Sequence, residues 1–266
     1  MGFKQVCGES AADNVEEVDS WKMNVLPQLV KDYSNRDIYN TDEFGLFYRL
    51  TPNKTMSVKG QQCHGGKLRK DRLTVLVGAN ADGSDKLKPL VIGKSRNPRC
   101  FKNVKNFPYL YESQRKSWMT GSQFVTWVRK IDERMKKDVL RHVLLFGDNC
   151  PAHPKEIDGL TNVRVEFSPP NSTSVIQPMD QGVIDCTNVK YRTRVVRRCL
   201  HQMEHGYIPS CGECRPITVL DAMHMLASSW EDVTSTTRAN CFRKAGFVPG
   251  EAVDEEPPSL TNVEND

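Results

Sequence analysis

Apolar and polar positions alternate along the chain in two periods, one helical and one of strands. Val18, Trp21, Val25 and Leu29 recur at near-helical spacing and predict an early helix. Ile38 to Asp42 reads as a short strand that runs into two acids and a glycine. Residues 72–79 and 88–92 are strand-like, and the turn-rich Asn80 to Ser84 between them predicts a hairpin. Residues 94–120 mix proline, lysine, asparagine and aromatics without a clear period. From Ser122 the period is helical, with Phe124, Trp127, Val128, Ile131 and Met135 on one stripe. His142 to Phe146 is a continuous apolar run, the pattern of a strand covered on both faces. A further strand is predicted over 163–167.

Beyond the Pro/Ser/Asn loop at 168–174, a long helix is predicted from near Asp180 to about His205. Thr218 and Asp221 have the spacing of a capping box, which opens a helix to about Trp230. A last helix is expected over 235–245. Mixed strands enclosed by helices make this an α/β domain. The expected organisation is a loose tail over 1–14, a main domain over 15–206, a helical C-terminal extension over 207–248 and an acidic, disordered tail over 249–266.

Charge changes this picture more than composition does. The formal net charge is only +4, yet residues 1–20 hold five acids against one base, and residues 251–266 hold six acids and no base. The body between them carries thirty-six bases against twenty-two acids. So basic a body predicts a polyanionic partner. No apolar run approaches the roughly 20 residues of a membrane span, and the N-terminus lacks the apolar stretch of a secretory signal. The expectation is a cytosolic or nuclear protein without a membrane partner, its nine cysteines free thiols.

Candidate chemistry lies at three aspartates. Asp42 and Asp148 each follow an apolar strand, and Asp180 sits at a predicted helix start. A rigid sheet fixes groups at its strand ends while leaving them open to solvent. Carboxylates crowded there repel one another unless a hard divalent cation such as Mg²⁺ neutralises them. Two such ions can serve the attacking and the leaving oxygen of a phosphodiester. Each aspartate alone also fits an ordinary turn or helix cap, and only the three together point to a metal site.

The residues around them carry a resemblance. Asn40 to Tyr48 (NTDEFGLFY), Leu145 to His153 (LFGDNCPAH) and Pro169 to Gly182 (PPNSTSVIQPMDQG) resemble the three catalytic motifs of the Tigger/pogo branch of the Tc1/mariner transposases, the DDE-1 superfamily endonuclease domain. Thirty-one residues separate Asp148 from Asp180, as suits this branch, and the likeness extends from about residue 5 to 247. It implies an RNase H-like fold and a DNA partner, with a possible homo-oligomer on the DNA. It also implies a nuclear location and two Mg²⁺ or Mn²⁺ ions held by Asp42, Asp148 and Asp180. The implied reaction is hydrolysis at a transposon end followed by strand transfer. Phe44 stands where the family more often has a small threonine, and its bulk is expected to disturb the strand end. Family members carry two helix-turn-helix units ahead of this domain. These 266 residues contain none, so a fragment or a copy without its targeting half is expected. One rival reading is a domesticated or degenerate copy that binds nucleic acid without catalysis. Another, which the motifs disfavour, is a generic RNase H-like nuclease acting on RNA or hybrids.

Three further features complete the reading. Lys190, Arg194, Arg197 and Arg198 share one face of the long helix and form either a phosphate track or a solvated face. His153 either orients a phosphate or metal-bound water or is a structural histidine. His201, His205, Cys211 and Cys214 have zinc-like spacing, but they do not belong to the family pattern and zinc is not expected. Glu43 falls on the opposite side of the strand from Asp42 if that strand continues, and is left out of the ligand set.

Overall fold

The structure is a computed structural model that describes residues 15–50, 71–138, 141–170, 172–205 and 215–250. A six-stranded mixed sheet has the order β4-β3-β2-β1-β5-β6. Its strands are β1 (Ile38–Phe47), β2 (Arg72–Asn80), β3 (Leu90–Gly93), β4 (Leu110–Ser113), β5 (Val143–Gly147) and β6 (Val163–Phe167). β1, β2 and β3 pair antiparallel, whereas β3–β4, β1–β5 and β5–β6 are parallel. The helices are α1 (Val15–Ser20), α2 (Leu26–Val30), α3 (Gly121–Met135), α4 (Thr173–Ile176), α5 (Ile184–Glu204), α6 (Val219–Glu231) and α7 (Ser235–Ala245).

Two cores flank the sheet. On one face, Tyr39, Leu76, Leu90, Val143 and Leu145 pack against the Phe124, Trp127, Val128, Ile131 and Met135 stripe of α3. That helix begins on a reciprocal Thr120–Gln123 capping box. On the other face, Ile38, Phe44, Leu46, Leu144 and Phe146 join Tyr191 and Val195 of α5, Trp230 of α6 and Phe242 of α7. β5 therefore feeds alternate residues into both cores, and all five of its residues are buried. The α6 capping box forms from Thr218 and Asp221. Among the described residues, no helix is long and apolar enough to cross a membrane.

Three expectations change. A π-helical turn, Trp21–Val25, separates α1 from α2. Such a turn takes one residue more than an α turn, so the buried position moves from Val25, which is exposed, to Leu26. β1 does not stop at Asp42 but continues to Phe47. Phe44 does not disturb it, because its side chain enters the core while its backbone pairs with Val75. β4 lies in the stretch that showed no period, because an edge strand with half-buried positions alternates weakly. The tails expected at both termini lie outside the described residues, apart from residues 249 and 250.

One buried acid ties the sheet to α3. Asp132 Oδ1 accepts the backbone N–H groups of Thr161, Asn162 and Val163 at 3.0, 2.7 and 3.0 Å. Lys136 pairs with its other oxygen at 2.9 Å. Burial raises the pKa of this carboxyl, but Lys136 and the three N–H groups outweigh it and hold the group below the ordinary value of 3.8. A depressed folded-state pKa contributes stability above the ordinary value and loses it as pH falls through the folded-state one. Asp132→Ala, which strands buried donors, is expected to cost on the order of 3 kcal/mol at pH 7. Thermal melts should show the gap to wild type narrowing below pH 3.8; a gap independent of pH would refute the assignment.

Candidate active site

Strand register brings the first two aspartates together. β1 and β5 pair with Ile38 opposite Leu144 and Asn40 opposite Phe146. Carried two residues further, that register places Asp42 beside Asp148, which directly follows β5. The third arrives from the loop after β6. Asp180 lies in a π-helical turn, Met179–Val183, which leads into α5 and is broken by Gly182 at φ 140°, a backbone state that favours glycine.

Asn40 fixes that loop to the sheet. Its fully buried side chain donates to the Phe146 carbonyl and to Gln177 Oε1, and accepts the Met179 N–H at 3.1 Å. Asp180 N–H in turn donates to the Gln177 carbonyl. One strand side chain thus holds both β5 and the backbone one residue before Asp180. Neither Asn40 nor Gln177 was singled out from sequence, although both lie inside the quoted motifs. Gln177 Nε2 is buried and has no hydrogen-bond partner.

The three carboxylates act on one another. Burial raises the Asp42 pKa well above the ordinary value, and the charges of Asp180 and Asp148 raise it further, while the Glu43 N–H, 2.7 Å from Oδ1, opposes them. Asp180 is also raised by burial and by the charges of Asp185 and Asp148, and it shares a hydrogen bond with Asp42. Asp148 is tied on its far side. His153 Nδ1 lies 2.8 Å from Asp148 Oδ1, and His153 Nε2 lies 2.7 Å from Glu43 Oε1. Burial disfavours the imidazolium, but the hydrogen bonds and charges of Asp148 and Glu43 outweigh it and push the His153 pKa up to about 10. The ring stacks on Phe124 with centroids 4.1 Å apart. His153, considered from sequence as a nucleic-acid contact, is therefore buried with both ring nitrogens engaged. Glu43 does face away from Asp42, yet reaches Asp148 through this histidine.

A hard divalent cation fits this donor set: carboxylate oxygens, with the buried Asp42 hydrogen-bonded to Asp180. Among the described residues, no three Asp, Glu, His or Cys side chains already form a metal cage. Elsewhere, Arg194 pairs with Asp232 at 2.5 Å and Arg198 with Asp221 at 3.0 Å. Half the basic face predicted on α5 thus joins it to α6, while Arg197 stays exposed and Lys190 half-buried. His201 and His205 are exposed and stacked; Cys211 and Cys214 lie outside the described residues.

A family profile described as DDE superfamily endonuclease matches residues 70–242, which include Asp148 and Asp180 and begin after Asp42. Tigger transposable element-derived protein 4 of Mus musculus is 39% identical over 239 residues, covering 90% of this chain and 45% of that protein. Major centromere autoantigen B of Homo sapiens is 31% identical over 226 residues, covering 84% of this chain and 36% of that protein. The chain thus spans less than half the length of these relatives. Among solved structures, the Mos1 mariner paired end complex with Mn has a TM-score of 0.52 at 14% identity, covering 92% of this chain and 64% of that one. The likeness is one of fold, and the sheet is of the α/β RNase H-like class.

The crowded pair sets a linkage test. A carboxyl whose folded-state pKa is raised makes the protein less stable as pH climbs from 3.8 through the raised value. Asp42→Asn removes that penalty. Without divalent metal at pH 7 the variant should melt a few degrees above wild type, since each kcal/mol is about 2–4 °C for a domain of this size. The difference should close on acidification, and Mg²⁺ should raise the melting temperature of wild type but not of the variant. A variant that melts lower at every pH would contradict the crowding.

Proposed function

The chain belongs to the DDE superfamily endonuclease family, in its Tigger/pogo type, and we propose that it is a DNA-processing domain in which Asp42, Asp148 and Asp180 hold a pair of Mg²⁺ or Mn²⁺ ions. The observation that carries this reading is the approach of three carboxylates from three separate elements: Asp42 is buried, and its pKa is raised by that burial and by the charges of Asp180 and Asp148. When bound, such ions neutralise the carboxylates and stabilise both the attacking and the leaving oxygen of a phosphodiester. Asp42 offers a rigid strand oxygen. Asp180 is held to it through the Asn40 clamp on Gln177 and Met179. Asp148 is oriented by His153, whose other nitrogen is anchored on Glu43. The proposed reaction is hydrolysis of a phosphodiester in DNA, followed by attack of the freed 3′-hydroxyl on a second strand. A nuclear setting goes with that substrate. The Mn in the Mos1 mariner paired end complex is in keeping with this reading.

A second reading is favoured by two observations. One is the engagement of Asp148 with His153. The other is the 31% identity to a centromere autoantigen, a relative whose name speaks of a chromosomal structure and not of a reaction. In this reading the chain keeps the fold and binds DNA without cutting it.

Supercoiled plasmid separates the two. Purified chain with Mg²⁺ or Mn²⁺ is expected to nick it, and Asp148→Asn should lower the rate at least about 100-fold, as loss of a group acting on transition-state charge does. If neither protein nicks, and calorimetry detects no Mn²⁺ binding by wild type, the catalytic reading fails and the binding reading stands.

A further inference from the structure

An exposed aromatic–cationic platform lies beyond the aspartates on the same central strand, and it has no part in the metal site. Trp118 is 61% exposed even though the Arg72 guanidinium lies over its ring, 4.8 Å from the centroid. One face of the indole is covered, so the exposure falls on the other. Phe47, itself 43% exposed, pairs in register with Arg72 across β1 and β2. Arg115 and Lys116, three and two positions before Trp118, are exposed.

This exposure is built into the fold. Ser117 is buried at 1% exposure and adopts φ 52°, a left-handed conformation uncommon for a residue with a side chain. Its carbonyl accepts the Thr74 hydroxyl at 2.5 Å, and its N–H donates to the Gln114 carbonyl at 2.7 Å. Gln114 Oε1 accepts the Lys116 N–H. The turn is thus pinned to β2 on one side of Trp118, and buried Met119 and the Thr120 cap of α3 hold the other. Gly45 completes the arrangement: a Cβ there would stand 3.0 Å from Arg72 Cδ, so the absent side chain lets the arginine lie across the strand. A hydrophobic ring displayed to solvent by so many contacts has a use other than packing.

We propose that Trp118 stacks an unpaired nucleobase of a DNA strand, with Arg72, Arg115 and Lys116 meeting the phosphates on either side. An indole stacks any base, because every base has a π-face, and neighbouring cations track the backbone. A protein partner would instead be expected to meet an apolar patch poor in charge, whereas one cation lies on this ring and two exposed cations stand two and three positions before it in the chain. The site has the reach to act with the aspartates. Phe47 lies five positions beyond Asp42, roughly 17 Å of strand at ~3.3 Å per residue, or about five nucleotides of a stacked strand at ~3.4 Å each. Pairing of β1 with β5 ends at Asn40, so the edge of β1 beyond it lies past β5. That edge joins the face carrying Asp42 to the face carrying Phe47 and Arg72. The inference rests on the reading of the chain as a DNA-processing domain, and it assigns that domain a local need for unpaired DNA.

Fluorescence anisotropy of labelled oligonucleotides with the full chain, in EDTA so that nothing is cut, tests it. Three probes are compared: a blunt duplex, the same duplex with an unpaired tail, and the tailed duplex with abasic sites in the tail. Wild type should bind the tailed duplex more tightly than the blunt one, and the abasic sites should abolish the gain. Trp118→Ala should weaken binding of the tailed duplex about 5- to 150-fold, the loss of one base–aromatic stack, and leave the blunt duplex unchanged. Trp118→Phe should retain most of the gain. Should the alanine variant melt lower, Trp118→Leu, apolar but without a ring face, replaces it and should behave as alanine does. An unchanged affinity for the tailed probe, or an equal loss on both duplexes, overturns the proposal. So does a wild-type dimer that Trp118→Ala dissociates, which would make this surface a contact between copies. If wild type binds none of the probes, the DNA reading itself fails; if it binds duplex without any dependence on Trp118, only the stacking inference does.

Discussion

Like charges forced together in a partly buried cleft set the terms for everything around them. Two carboxylates about 4 Å apart repel by about 4 kcal/mol at an effective dielectric of 20, several times the net value of about 1 kcal/mol for one hydrogen bond. No single contact can hold three such groups against that repulsion. The scaffold spreads the load over covalent and cooperative constraints. Asp42 lies inside a ten-residue strand paired on both sides at its root. Asp148 follows a strand buried in both cores. Asp180 sits in a turn whose backbone is bonded to Asn40. Asn40 matters because it touches both β5, through the Phe146 carbonyl, and the Gln177–Met179 segment. It therefore fixes the third carboxylate relative to the strands that bear the other two.

The cleft carries its charges unequally. On the α3 face, Glu43 and Asp148 share His153, a buried cation at neutral pH. That half supplies its own counter-charge and is locked by stacking on Phe124. On the opposite face, the charges acting on Asp42 are those of Asp180 and Asp148, both negative. This half relieves the repulsion only through a shared hydrogen bond and raised pKa values. Uncompensated negative charge is thereby concentrated on the Asp42–Asp180 side, while Asp148 interacts with both halves.

What the sequence made legible follows the range over which each interaction acts. The α3 stripe, the doubly buried β5 and the Thr218–Asp221 cap are local patterns, and the structure repeats them. The three aspartates stand out in the sequence because each lies in a recognisable motif. The partners that hold them were not. Asn40 and Gln177 lie 137 residues apart, and an asparagine in a strand carries no periodic signal of what it meets. Strand alternation sets Glu43 apart from Asp42, but its link to Asp148 runs through His153, 110 residues away. The early apolar stripe misplaced one residue because a π-helical turn shifts the phase, and nothing in Trp21–Val25 announces such a turn. Length of β1 was underestimated because the acids of its middle read as a terminus, whereas burial of Phe44 and Leu46 carries the strand onward.

Charge counting shows the same limit, and resolves it. The basic excess of the body predicts a polyanionic partner but not which bases meet it, since a base already paired with a carboxylate contributes little to an outside phosphate. Arg194 and Arg198 are spent on α6, Arg141 on Asp37, and Arg134 on Asp85. The helix face that looked most like a phosphate track is therefore in large part an internal seam. Arg72 differs in kind: its guanidinium lies on an exposed indole, a contact that leaves its charge unneutralised. On the proposed reading, the surface that meets nucleic acid is set by which bases remain unpaired with carboxylates; past the end of β1 the nearby Asp71 is taken up by Arg49, and Arg72 lies on the indole instead.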